Sequence, residues 1–165
     1  MVEVTKKKIT QRELEQFKAL LQEHEIESLI AKYKPQGLEI SFDVDWLHHY
    51  GLAASFARTN TAGPHFITLS PLLLEWGLTD RIAFPTIILH ELAHVIDRVQ
   101  NWTKYASRDP LDHEALEYEA DNLVVAWGLK DGLIETLRRS IALGSEHGES
   151  EVMASKRLFR LSDAA

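Results

Sequence analysis

An α+β fold is predicted by three features of this 165-residue chain. After one leading helical stretch, period-two patterns fall between positions 38 and 69, and helical periodicities follow from 79 onward. Strands come before helices and do not alternate with them, as a doubly wound sheet would require. The expected sheet is small and largely antiparallel. The length suits a single domain over 1–165, with a flexible tail at 1–8 and a C-terminal helical extension at 145–165.

The first helix is signalled by Thr10 and Glu13 at capping-box spacing. Leu14, Phe17, Leu21, Leu29 and Ile30 carry it to Tyr33, and Pro35 and Gly37 end it. Residues 38–44 alternate apolar and polar side chains as a half-buried strand does. Further short strands are expected at 53–59 and 65–69, around a turn made by Asn60, Gly63 and Pro64. Residues 71–77 form helical turns closed by Gly77, and a long helix runs from Thr79 to Gln100 with Pro85 early in it. The stretch 101–112 lacks periodicity and reads as a loop. Helices follow at 112–127, ended by Gly128, then at 131–143 and 149–161.

Composition narrows the function. There is no cysteine, which excludes a disulfide framework, an iron–sulfur cluster and a thiolate zinc site, so any metal is held by nitrogen and oxygen ligands. A formal charge of -7 argues against broad nucleic-acid or membrane-surface binding. The N-terminal lysines have no apolar stretch behind them and no run is long enough to span a bilayer, so a cytoplasmic location is expected.

The residues that carry chemistry are His90-Glu91-Leu92-Ala93-His94, inside the apolar run from Ile87 to Ile96. Positions four apart share a helix face, so His90 and His94 offer two imidazoles to one ion. Glu91, one residue beyond the first ligand, is placed beside the open coordination position, where a base takes a proton from water. A catalytic zinc of this type needs a third protein ligand. Glu117, on the next helix, is the first candidate, and His113, one turn earlier, is the second. Asp121 lies one turn beyond Glu117, placed to accept a hydrogen bond from a ligand histidine's distal nitrogen, and Ala120 is small enough for close helix approach. Asp97 is either such an outer partner or a surface charge. Tyr105, His113 and Tyr118 are the candidate donors to a developing oxyanion.

The HELAH segment followed by Glu117-x-x-Ala120-Asp121 resembles the gluzincins, zinc metallopeptidases with two histidines and a glutamate as ligands. The short gap between the motifs is similar to that of small ImmA/IrrE-type enzymes and minigluzincins, although asparagine is commoner than aspartate at position 121 in the former. Phe66-Ile67-Thr68-Leu69-Ser70 leading to the HELAH helix also resembles SprT-like proteins. The resemblance covers residues 53–128. It implies a zincin-like domain, with Zn2+ held by His90, His94 and Glu117, Glu91 as general base, and a protein or peptide substrate. Likeness to the minigluzincins also allows the C-terminal region, with His147, Glu149 and Glu151, to fold over the cleft and hold the enzyme latent.

The expected reaction is hydrolysis of a peptide bond by metal-activated water. The strand at 65–69, if it forms a sheet edge, would hold an extended substrate by strand addition. Two other classes compete: a zincin-fold metal-binding regulator without proteolysis, and a helical interaction domain without metal. The presence of Glu91 favours the enzyme. Remaining features have plain readings: His48-His49 beside Trp46 as a turn, Lys6-Lys7-Lys8 as a solvated tail, and Lys156-Arg157 with Arg160 as part of an amphipathic helix docked on the core.

Overall fold

The computed structural model describes residues 8–47, 51–56, 64–106, 110–143 and 151–163, and the elements below are those found among them. Helix α1 (Gln11–Glu23) begins with the expected capping box: Glu13 N–H donates to Thr10 Oγ1 at 3.1 Å, and Thr10 N–H donates to Glu13 Oε1 at 2.9 Å. It does not continue to Tyr33. The chain turns through a left-handed residue, Glu25 at φ 53°, and α2 (Ile26–Tyr33) sets off in a new direction. The reason lies in the side chains. Phe17 and Leu20 are buried, but an unbroken helix would next point His24 and Glu27 inward. The break instead brings Ile26 and Ile30 to the core. His24 closes α1, with its Nε2 2.7 Å from the Gly77 carbonyl oxygen.

Strands β1 (Ile40–Val44), β2 (Ala53–Phe56) and β3 (His65–Leu69) form one sheet in the order β1-β3-β2. β1 pairs with β3 in parallel, Ile40 opposite His65 and Val44 opposite Leu69, while β2 pairs antiparallel, Ala53 opposite Leu69. The sheet is therefore mixed, which corrects the expectation of a largely antiparallel one. It also corrects the placement of residues 65–69 at an edge, since β3 is the middle strand. His65, Ile67 and Leu69 are buried on one face of β3, while on the other Thr68 is buried and Phe66 is exposed. β1 and β2 are less enclosed and take the edges.

Helix α3 (Leu73–Thr79) contains Gly77 instead of ending at it. A Cβ there would lie 2.7 Å from Leu20 Cδ1 and 3.0 Å from the Phe84 ring, so this glycine serves close packing. Asp80 separates α3 from α4 (Ala83–Gln100), its Oδ1 accepting the N–H groups of Ile82 and Ala83 at 3.0 and 2.8 Å. Pro85 falls in the first turn of α4, where no helical partner for its missing N–H is needed. A short helix, α5 (Trp102–Ala106), occupies part of the stretch expected to be a loop. α6 (His113–Ala126) is capped by Asp112, whose side chain accepts from Ala115 N–H, and the chain leaves it through Gly128 at φ 84°. α7 (Lys130–Leu143) and α8 (Glu151–Asp163) complete the chain. No helix among the described residues is long and apolar enough to cross a membrane.

α4 lies at the centre. Its Phe84, Ile88, Leu92 and Val95 join the core formed with the sheet, α1, α2 and α3. On its other side Ala93 packs with Ala120, Val124, Leu133, Leu137, Ala154 and Leu161 of α6, α7 and α8. α7 approaches closely at Gly132, where a Cβ would stand 2.5 Å from Thr86 Oγ1 and 3.3 Å from Ile82 Cγ2. Gly132→Ala is therefore expected to destabilise the fold by about 1–2 kcal/mol in urea denaturation, although alanine is the better helix former by roughly 1 kcal/mol. Stability equal to wild type would show that α7 separates from α4 at no cost.

Candidate metal centre

His90 and His94 project from one face of α4, their rings 4.7 Å apart between centroids and nearly edge-on at 87°. Both are buried, so neither is free to swing into solvent. α6 presents Glu117 opposite them. Its Oε1 lies 3.1 Å from His94 Nε2 and its Oε2 lies 3.4 Å from His90 Nε2. Ala93 and Ala120 share the apolar cluster between the helices, which permits this approach.

These spacings fit a metal. Tetrahedral coordination with bonds of 2.0–2.1 Å separates neighbouring ligand atoms by about 3.3 Å. His90, His94 and Glu117 each offer one ligand atom, all within 4.8 Å of one another, so the group could hold a metal ion. Of the two candidates for the third position, the structure brings Glu117 to the histidines. His113 stands exposed at the start of α6 and lines the adjoining cleft without joining the group.

Glu91 lies beside the three, with Oε1 3.9 Å from His90 Nδ1, and opens onto a cleft of about 240 Å³. One wall of this cleft is β2, through Ala53, Ala54 and Ser55. The other is α4, through Glu91, His94 and Arg98, with Tyr105, His113, Leu116 and Glu117 closing it. Arg98 ties the walls together, its Nη1 donating to the Ser55 carbonyl at 2.7 Å and to Ser55 Oγ at 3.0 Å.

The remaining candidates separate. Asp121 does approach a ligand histidine, but at Nε2 of His90, 3.2 Å away, and not at the distal Nδ1. Asp97 does not touch a histidine among the described contacts. Its carboxylate accepts from the Tyr105 hydroxyl, from Lys104 Nζ at 3.1 Å and from Asn101 Nδ2 at 2.8 Å. Burial works against its charge, yet those bonds hold its pKa below the ordinary value. Burial and the bond to Asp97 push the Tyr105 phenol upward. Tyr118 engages Glu114 through its hydroxyl, with Arg160 over its ring, and does not line the cleft.

Lys156, Arg157 and Arg160 lie on the C-terminal helix expected to dock on the core, and they part company there. Lys156 pairs with Glu114 on the surface, and Arg160 reaches Asn122. Arg157 is buried inside the site. Its Nε donates to Asp121 Oδ2 at 2.8 Å and its Nη2 to Asp121 Oδ1 at 2.6 Å. Nη1 lies 3.2 Å from Glu117 Oε2, and Nη2 lies 3.1 Å from His90 Nε2. The signal was in the spacing: Ala154, Arg157 and Leu161 form a single helical stripe, so this arginine belongs to the face that docks. His48, His49, His147 and Glu149 lie outside the described residues, and Glu151 is exposed.

No protein-family model, curated protein or solved structure matches the chain. The centre therefore stands on its own geometry and electrostatics. Burial and the Arg157 guanidinium disfavour protonation of His90, but hydrogen bonds with Asp121 and Glu91 and the charge of Glu117 outweigh them and raise its pKa to about 10. Burial opposes the charge on Glu117, yet the hydrogen bond from His94 and the charges of His90 and Arg157 hold its carboxyl far below the usual range. Asp121 is lowered similarly by His90 and Arg157, against the effect of burial.

Two outcomes follow. Glu117→Ala is expected to lose the bound ion on purification and dialysis while His113→Ala keeps it, read as metal content per chain. Because His90 is protonated at neutral pH and a ligating imidazole is neutral, ion uptake displaces a proton. Apparent zinc affinity, measured against a competing chelator, then rises by about tenfold per unit between about pH 7.5 and 8.5, and a flat profile would contradict the assignment.

Proposed function

We propose that this chain is a zinc-dependent metallopeptidase of gluzincin type, with His90, His94 and Glu117 as ligands and Glu91 as general base. The observation that carries the reading is the placement of Glu91: next to the three ligands, yet outside their group, and facing an open cleft. A purely structural metal site has no use for a carboxylate there. Imidazole and carboxylate donors suit zinc. When bound, zinc supplies Lewis acidity, acidifying water toward neutral pH and polarising a carbonyl.

The chain's own residues account for the rest. Glu91 accepts the proton of the attacking water and passes it to the departing nitrogen. No covalent intermediate on the protein is needed. The Tyr105 hydroxyl is donated to Asp97, whereas His113 stands at the rim of the cleft, and it is the donor we assign to the charge developing on the carbonyl oxygen. The substrate strand is assigned to β2 in place of β3. Ser70 N–H bonds the Leu52 carbonyl, so by antiparallel alternation Ala54 and Phe56 face β3, while Ala53 and Ser55 turn their backbone groups to the open edge. An extended peptide laid along that edge runs past Glu91 and His94.

Glu91→Gln is the decisive variant. It is expected to retain stoichiometric zinc and the wild-type circular dichroism spectrum while hydrolysis of a mixed peptide library falls by about 10²-fold or more. Hydrolysis at the wild-type rate would end the catalytic assignment and favour a metal-binding regulator.

A further inference from the structure

Two carboxylates reach the same nitrogen of His90. Glu117 Oε2 lies 3.4 Å from Nε2, and Asp121 Oδ1 lies 3.2 Å from it. The two acids sit one turn apart on one face of α6. By chemistry Asp121 is a possible ligand, but its recorded histidine contact is with His90 alone, whereas Glu117 reaches both His90 and His94, and the group close enough to hold an ion does not include Asp121.

Beside that difference in reach, the two acids differ in their share of Arg157, which holds Asp121 where it is. The guanidinium takes both oxygens of Asp121, Oδ2 through Nε at 2.8 Å and Oδ1 through Nη2 at 2.6 Å. Glu117 receives only Nη1, at 3.2 Å from Oε2, and its Oε1 remains turned to His94 at 3.1 Å. A planar two-bond fork of this kind fixes direction as well as charge.

We infer that Arg157 withholds Asp121 from the coordination sphere, so that the centre has three protein ligands and keeps one position open. Asp121 is 0% exposed and Arg157 only 5%. A carboxylate buried so deeply and stripped of its counter-charge is strongly unfavourable. Once an ion is bound and His90 is neutral, the cation nearest to Asp121 among the described residues is the ion held by His90, His94 and Glu117. Joining it would make a closed two-histidine, two-carboxylate set, the four-ligand arrangement of structural zinc sites, where catalytic sites have three. Arg157 is thus a positioning residue: it decides whether the same ligands make a reactive centre or an inert one. Its carrier is α8, so the docking of the last helix and the openness of the centre are linked through one side chain.

The inference rests on the metal reading above, and the test separates the two. Cobalt(II) is loaded as a spectroscopic stand-in for zinc, and acetohydroxamate serves as the probe of an open position. Wild type is expected to bind cobalt and to shift its visible spectrum on adding acetohydroxamate. Arg157→Met is expected to keep the ion, bind zinc about tenfold or more tightly, and lose at least tenfold in acetohydroxamate affinity. Adding Asp121→Asn to that variant restores the acetohydroxamate response, which a merely structural role for Arg157 does not predict. Arg157→Lys retains the buried charge but holds one oxygen only, and is expected to weaken acetohydroxamate binding severalfold. This variant decides the matter if the methionine one does not fold. A wild-type acetohydroxamate response in the folded variants, or loss of the ion from folded Arg157→Met, overturns the inference while leaving the metal centre standing. Failure of wild type to take up cobalt or zinc overturns the metal reading itself.

Discussion

Helix α4 is enclosed by the sheet on one flank and by α6 and α7 on the other, and the placement of every polar group in the site answers to that enclosure. A helix buried on almost all sides cannot leave polar side chains to water. His90, Glu91 and His94 must find partners in the narrow sector that remains, between β2 and α6. The same packing that makes them costly to bury makes them rigid, because the apolar residues on either side lock the helix in rotation and in height. An imidazole pair on a loop would have neither property.

Enclosure also dictates the electrostatics. Two buried histidines draw two carboxylates from α6, and two carboxylates in turn need more positive charge than imidazoles near neutral pH ordinarily supply. Arg157 supplies it from α8, a helix that packs on α7 and is tied to α6 by Lys156 on Glu114 and Arg160 on Asn122. Among the described side chains of that helix, Ala154, Arg157 and Leu161 are the buried ones. With Leu158 packed on the same cluster, the buried arginine between Ala154 and Leu161 contributes to the attachment of α8 as well as to the site.

Much of this was legible in the chain because it is local. The capping box at Thr10 and Glu13, the strand limits at His65 and Leu69, the helix start near Asp112 and the exit at Gly128 each depend on neighbours a few residues away. The shared face of His90 and His94 follows from helix pitch alone. What was illegible depends on distant partners. The break at Glu25 exists because Ile26 and Ile30 face a core built by later elements, and Gly77 is small for the sake of Leu20 and Phe84. Parallel pairing of β1 with β3 is a choice of neighbour, which alternation along one strand does not encode. Arg157 is the sharpest case. Its partners Asp121 and Glu117 are carried by another helix, and beside Lys156 and Arg160 it has the look of a surface charge.

The strut between Arg98 and Ser55 bears on self-association. An open sheet edge with its outward backbone groups exposed is a template on which other copies can polymerise, and proteins commonly guard such edges with charge. Here the guanidinium sits on the carbonyl of Ser55, near the far end of a four-residue strand. A short guest segment can pair along Ala53 before it meets the cation, whereas a full-length strand from another molecule would have to displace a charge anchored in α4. On the proposed reading, the edge that receives a substrate is also the one whose far end carries a guarding charge.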